Sequence, residues 1–252
     1  MKRKITLIIL ALFTSVGMIQ AQNATIEKSY NRASIGLSLL QLKDTYYLDS
    51  DKTVYCFEDG KIWMKGIDIN YLHGFKILSK LPLYVEAGGG ITMDSYKDTY
   101  IDTEWQSLGT TVYETKNRLT ILALSVPVNI TYKYTFNNGL YIAPFAGIHM
   151  RLNLMGKIKS NERSSFGKEE DESYNIFKSG DDGYWEDGDE DDHAHRFQFG
   201  GQVGVNVGYK AWNLGIAYYL DTPLEEYKDV LYNKYDWKYK QGSLAITVGY
   251  NF

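Results

Sequence analysis

The chain has 252 residues, enough for one domain, with a formal net charge of −4 and a single cysteine. The near balance of charge leads us to expect no nucleic-acid partner, and one thiol, Cys56, excludes an internal disulfide framework. Twenty-two tyrosines, twenty-three glycines and only four prolines suit long strands with aromatic girdles.

Residues 1–21 read as a cleaved leader. Lys2, Arg3 and Lys4 precede an apolar run from Ile5 to Ile19, and Ile19-Gln20-Ala21 is an acceptable cleavage site before Gln22. The run is short for a membrane helix and no stop-transfer charges follow it. The remainder, 22–252, contains no other long apolar run, but eight segments alternate apolar and small or polar residues with period two.

The first segment, Ser34–Leu42, opposes Ile35, Leu37 and Leu39 to Ser34, Gly36 and Ser38. In the second, Ile62–Phe75, Ile67, Ile69 and Tyr71 alternate with Gly66, Asp68 and Asn70. Leu83–Met93 is the third and Thr120–Tyr134 the fourth; there Leu122, Leu124, Val126, Val128 and Ile130 share one face. Leu140–Leu154 is less regular. His195–Tyr209 and Trp212–Leu220 follow, and the chain closes on Gly242–Phe252, where Leu244, Ile246, Val248, Tyr250 and Phe252 form one face. That last strand, ending on an aromatic, fits a lipid face outside and a crowded polar interior. It also looks like the C-terminal signal read by the outer-membrane barrel-assembly machinery.

Connections alternate long and short: 43–61, 94–119, 155–194 and 221–241 are long, whereas 76–82, 135–139 and Lys210–Ala211 are short. Phe75, Tyr132, Tyr134, Phe136, Tyr141, Tyr209, Trp212, Tyr250 and Phe252 lie beside the short turns or the C-terminus, at one rim. Together these features predict an all-β, eight-stranded, antiparallel up-and-down transmembrane barrel with short periplasmic turns and long extracellular loops. Pro127 and Pro144 fall inside strands and predict a local bulge or kink at each. Lys65 and His73 interrupt an apolar face and are tolerable only near lipid headgroups.

Asp68, Glu86, Lys133 and Arg151 point inward in this register, and are expected to pair across the lumen as a structural network. A narrow ion path is the other use of such charges. Between Glu169 and Asp192 the acidic loop (about 155–194) carries twelve carboxylates against Lys178 alone. Such a block is expected to be solvated; divalent cations are its candidate partners, although its spacing lacks the EF-hand pattern. The histidines make no H-x-S pair, and neither G-x-S-x-G nor H-E-x-x-H occurs. The expectation is a non-enzymatic protein without cofactor or metal site, embedded in outer-membrane lipid and lipopolysaccharide.

Val126-Pro127-Val128, Thr131-Tyr132-Lys133-Tyr134, Pro144-Phe145-Ala146-Gly147 and Leu83-Tyr84-Val85-Glu86-Ala87-Gly88 carry a resemblance. They resemble strand motifs of the small, porin-like or PorT-like outer-membrane barrels of Bacteroidetes, over nearly the whole mature chain. That resemblance implies an outer-membrane barrel of a Gram-negative bacterium and mostly no assigned activity. A structural or surface-interaction role through the long loops is expected first. A narrow porin for ions or small solutes is the alternative, and a lipid-modifying barrel enzyme a minor one.

Overall fold

The structure is a computed structural model that describes residues 28–48, 52–54, 61–106, 109–167, 169–179, 183–185, 194–228 and 235–252. The expected leader and Cys56 lie outside the described residues. Eight long strands close on themselves: β1 (Ser29–Leu48), β2 (Lys61–Lys76), β3 (Leu83–Gln106), β4 (Gly109–Tyr132), β5 (Leu140–Ser164), β6 (Phe197–Tyr209), β7 (Trp212–Asp221) and β8 (Tyr235–Asn251). Every neighbouring pair is antiparallel, and β1 pairs with both β2 and β8, so the ring has no open edge.

One lateral row of residues shows why this sequence closes. Val207, Leu214, Val248, Ile35, Ile69, Ile91, Leu124, Leu152 and Phe197 are successive cross-strand partners around the whole ring. All are large and apolar, and all but the half-buried Leu152 are outward and exposed. The row leaves β6 at Val207 and returns to it at Phe197, ten residues along the strand. With standard strand spacing and rise, that stagger over eight strands sets a tilt of about 41° and a backbone radius of about 8 Å. A barrel so narrow must be filled by its own side chains.

The prolines act differently from expectation. Pro127 pairs with His149 and Pro144 with Val205 without any shift of register. On the β3 side the ladder omits Gly88–Pro127 and Gly89–Val126 but resumes at Gly90–Ser125 in the same register. The missing proline N–H interrupts the bonding locally and nothing bulges. The bulge lies elsewhere, at Leu154, because Leu122 pairs with Met155 but Ala123 with Asn153.

All four of the long connections expected as loops carry β-structure: Lys43–Leu48 pairs with Tyr235–Lys240. β3 and β4 stay paired from the barrel up to Gln106 opposite Gly109, and β5 continues to Ser164 and pairs with residues 169–175 of the strand Glu169–Ser179. Beyond the apolar band the outward face of these ribbons gains Lys97, Arg118 and Lys159 while Tyr96, Leu119 and Ile158 pack inward, so the apolar-out alternation that marks the barrel strands is lost there. Short turns join the strands at the other end; at the two-residue turn Lys210 adopts φ +54°. Tyr209, Trp212, Tyr250, Phe252, Phe75 and Phe136 are exposed near that rim, whereas Tyr141, expected among them, is buried inside.

Candidate functional site

The interior is built from paired large and small residues. Tyr30, Phe145, Tyr141 and His149 each stand directly opposite a glycine of the next strand: Gly74, Gly204, Gly208 and Gly200 respectively. A Cβ at Gly208 would clash with the Tyr141 ring, and one at Gly74 would meet the Tyr30 ring at 2.7 Å. The small inward positions of the alternating pattern are therefore the slots into which neighbouring rings lean.

Near the turn end, Glu86 is fully buried and accepts three hydrogen bonds. They come from the Tyr30 hydroxyl, from Arg32 Nη2 at 3.0 Å and from Thr131 Oγ1 at 2.7 Å. Lys133 stands over two rings. Its Nζ lies 4.3 Å from the centre of the Tyr30 ring and 5.1 Å from that of Tyr141. Asn251 donates to the Tyr141 hydroxyl at 2.6 Å.

At mid-height Gln202 bonds Asn129, and Asp68 accepts from Asn70 at 2.8 Å. A cavity bordered by Arg32, Ser125, Phe145, Gln202 and Asn206 holds only about 40 Å³, room for a few waters. Above it, Arg151 Nη2 stands 3.6 Å from Asp94 Oδ2, an ion pair too long for a hydrogen bond. The Arg151 Nε donates to Asn153 at 3.2 Å, and Asn153 donates to Gln198 at 2.8 Å. His149 Nε2 meets Asp221, whose other oxygen accepts from Gln241 at 2.9 Å. The lumen then ends in an apolar cap made by Leu40, Leu42, Met64, Ile121, Ile176, Phe177, Ala194 and Leu224.

Asp68, Glu86 and Arg151 are thus buried in the interior and Lys133 is half-buried, and two of the four pair with residues outside the expected set. Glu86 goes with Arg32, and Arg151 with Asp94. Arg32 falls two residues before the first alternating segment and Asp94 one residue after the third. Extending each alternation by one pleat would have found both. His149 and Asp221 form the buried pair that resembles catalytic geometry, but both side chains are almost inaccessible and the adjoining ring is Tyr219.

Of the acidic block, Glu169–Glu172 lies in the ribbon strand; most of Asp181–Asp192 lies outside the described residues. Arg163 donates twice to Glu169, at 2.9 and 2.8 Å, and Asn161 donates to Asp171 at 2.6 Å. The Arg163 bonds, with help from Asn161, hold the Glu169 carboxyl below its ordinary pKa. Among the described residues no three His, Cys, Asp or Glu side chains converge as a metal site.

No protein-family model matches the chain, and no curated protein matches it. Solved structures of similar shape include Ail, the attachment invasion locus protein of Yersinia pestis, at 14% identity and TM-score 0.38, covering 90% of this chain and 100% of that one. Neisserial surface protein A matches at 12% identity and TM-score 0.35, covering 90% and 98%. The outer-membrane protease OmpT of Escherichia coli matches at 12% identity and TM-score 0.32, covering 92% and 99%. At such identities and scores these likenesses say nothing about activity.

Proposed function

We propose that this chain is a non-enzymatic barrel of the Gram-negative outer membrane, closed to solutes, whose work is done by the ribbons that rise from one rim. The observation that carries this is the filled lumen: buried ion pairs, amides and an apolar cap occupy the bore, leaving about 40 Å³ at mid-height. The exposed apolar row around all eight strands fits a lipid surround, since soluble proteins rarely leave so continuous a belt in water. A leader at residues 1–21 and assembly through the Phe252 strand are parts of the same reading. The turn end then faces the periplasm and the ribbon end the exterior.

The buried His149–Asp221 pair acts in this reading as a strut, not as a general base, because it has no accessible face and, among the described residues, no hydroxyl nucleophile in hydrogen-bond reach. Complementation tests the role of the ribbons. A variant with the tips 100–115 and 161–171 replaced by two-residue turns should fold, yet fail to restore whichever envelope phenotype deletion of the gene produces. Full restoration by the tipless barrel would place the function in the barrel itself.

A further inference from the structure

Above the apolar band, the outward face of β3, β4 and β5 carries an unusual row. Lys97 stands directly opposite Arg118, and Arg118 directly opposite Lys159. Like charges opposed in this way repel, because partners across a sheet sit about 5 Å apart. Lys157 lies one pleat lower on the same face, and Lys65 stands opposite Ser95, one pleat below Lys97. All five are exposed.

The bulge at Leu154 is what turns two of these cations outward. Below it the even-numbered residues of β5, Ile148 and Met150, face out and Arg151 and Asn153 are buried. Above it the parity reverses: Gly156 is buried and Ile158 packs against the interior cap, so Lys157 and Lys159 face outward. Without the extra residue both lysines would point into the apolar cap.

The acids of this face are engaged further out. Glu169 holds Arg163, Asp171 holds Asn161, and Glu114 lies 3.1 Å from Lys116. Among the described residues, no ion pair engages Lys65, Lys97, Arg118, Lys157 or Lys159. Lys97, Lys116, Arg118, Lys157 and Lys159 line a cleft of about 560 Å³, which Asp98, Asp171 and Glu172 also border. The last apolar residues below them are Met93 and Leu122. From the strand rise and tilt, Lys157 sits about 5 Å and Lys97 about 10 Å above that edge, the depth of lipid headgroups.

We propose that Lys65, Lys97, Arg118, Lys157 and Lys159 form a binding site for the phosphate groups of an outer-leaflet lipid headgroup. An anion between the opposed cations removes their repulsion, and arginine adds bidentate geometry for phosphate. The site rests on the membrane reading above and deepens it, by naming which lipid chemistry the outer surface selects and where.

Native mass spectrometry of the refolded chain tests this with three probes: bis-phosphorylated lipid A, its dephosphorylated form, and inorganic pyrophosphate. The wild-type chain should bind the bis-phosphorylated lipid at least about tenfold more tightly than the dephosphorylated one. Lys97→Gln/Arg118→Gln/Lys159→Gln should lose that preference, Lys159→Gln alone should lose part of it, and Lys76→Gln at the opposite rim should keep it. A preference unchanged in the triple variant overturns the site. Pyrophosphate binding as tight as the lipid overturns the lipid as its occupant. Flotation with vesicles free of lipid A separates the two levels: a chain that inserts but shows no preference refutes this site alone, whereas one that fails to insert refutes the membrane reading too.

Discussion

Arg32 Nη2 lies 3.0 Å from Glu86 Oε2, and the two residues belong to strands that are not neighbours, since β2 separates β1 from β3. The same skip recurs around the bore. Asp94 on β3 meets Arg151 on β5, and Asp221 on β7 meets His149 on β5. Charged struts therefore tie alternate strands across the interior, in a place where backbone bonding ties only adjacent ones. A network of chords of this kind braces the barrel against ovalisation and fills it at once.

The Glu86 hub predicts a large cost for its loss. Glu86→Ala leaves the Arg32 guanidinium buried and unpaired, which costs about 3–5 kcal/mol. Urea unfolding in detergent micelles, followed by heat-modifiable migration, should show the midpoint falling accordingly. Arg32→Met/Glu86→Leu should recover much of that loss, because the lone buried charge is gone.

Ile69 sits in the middle of the apolar row, between Ile35 and Ile91. Replacing it with arginine puts a charge at the centre of the lipid face and should cost about 2–4 kcal/mol in bilayer folding titrations. The same change at Lys65, higher on the same strand face, should cost almost nothing.

The ribbon tip should respond to acid. Glu169 has its carboxyl pKa lowered, chiefly by the hydrogen bonds from Arg163. A lowered folded-state pKa means the contribution is complete above the ordinary carboxylate value and is lost as pH falls through the lowered one. Amide exchange in 161–171 should therefore quicken relative to the barrel as the pH drops below the usual carboxylate range. Glu169→Gln should remove that pH dependence while leaving the exchange fast throughout.

Phe252 exchanges two backbone hydrogen bonds with Asn31, at 2.9 and 3.0 Å, and so ties the C-terminus to the start of β1. Its ring is exposed at the rim. If the terminal aromatic is read during assembly, Phe252→Ser should reduce the folded, membrane-inserted fraction in cells while in vitro refolding into micelles stays near normal. Equal assembly of both chains in cells would remove Phe252 from that role.

How much of this was legible beforehand depends on what each strand face shows. Val126, Val128 and Ile130 alternate with small or polar residues, so their faces could be assigned from sequence, as could the inward Asp68 and Glu86. Leu40, Leu42 and Met64 could not. They are apolar residues pointing inward just where the outward face turns polar, which inverts the pattern that a barrel strand otherwise follows. The reversal in β5 was hidden for a related reason: a one-residue bulge at Leu154 leaves no compositional mark, yet it decides which way Lys157 and Ile158 face. The inward facing of Arg32 and Asp94 continues the alternation, but which residues they meet depends on the stagger between strands two apart, which local periodicity does not encode.

Single-channel recording of the refolded chain in planar bilayers tests the central claim most directly. The filled lumen predicts no steady conductance for the wild-type chain at either polarity, with Arg32→Ala/Phe145→Ala/Arg151→Ala opening a small one if the struts are the obstruction. A steady, ohmic wild-type conductance that changes its ion preference in Arg151→Glu would contradict the account and make the barrel a narrow porin.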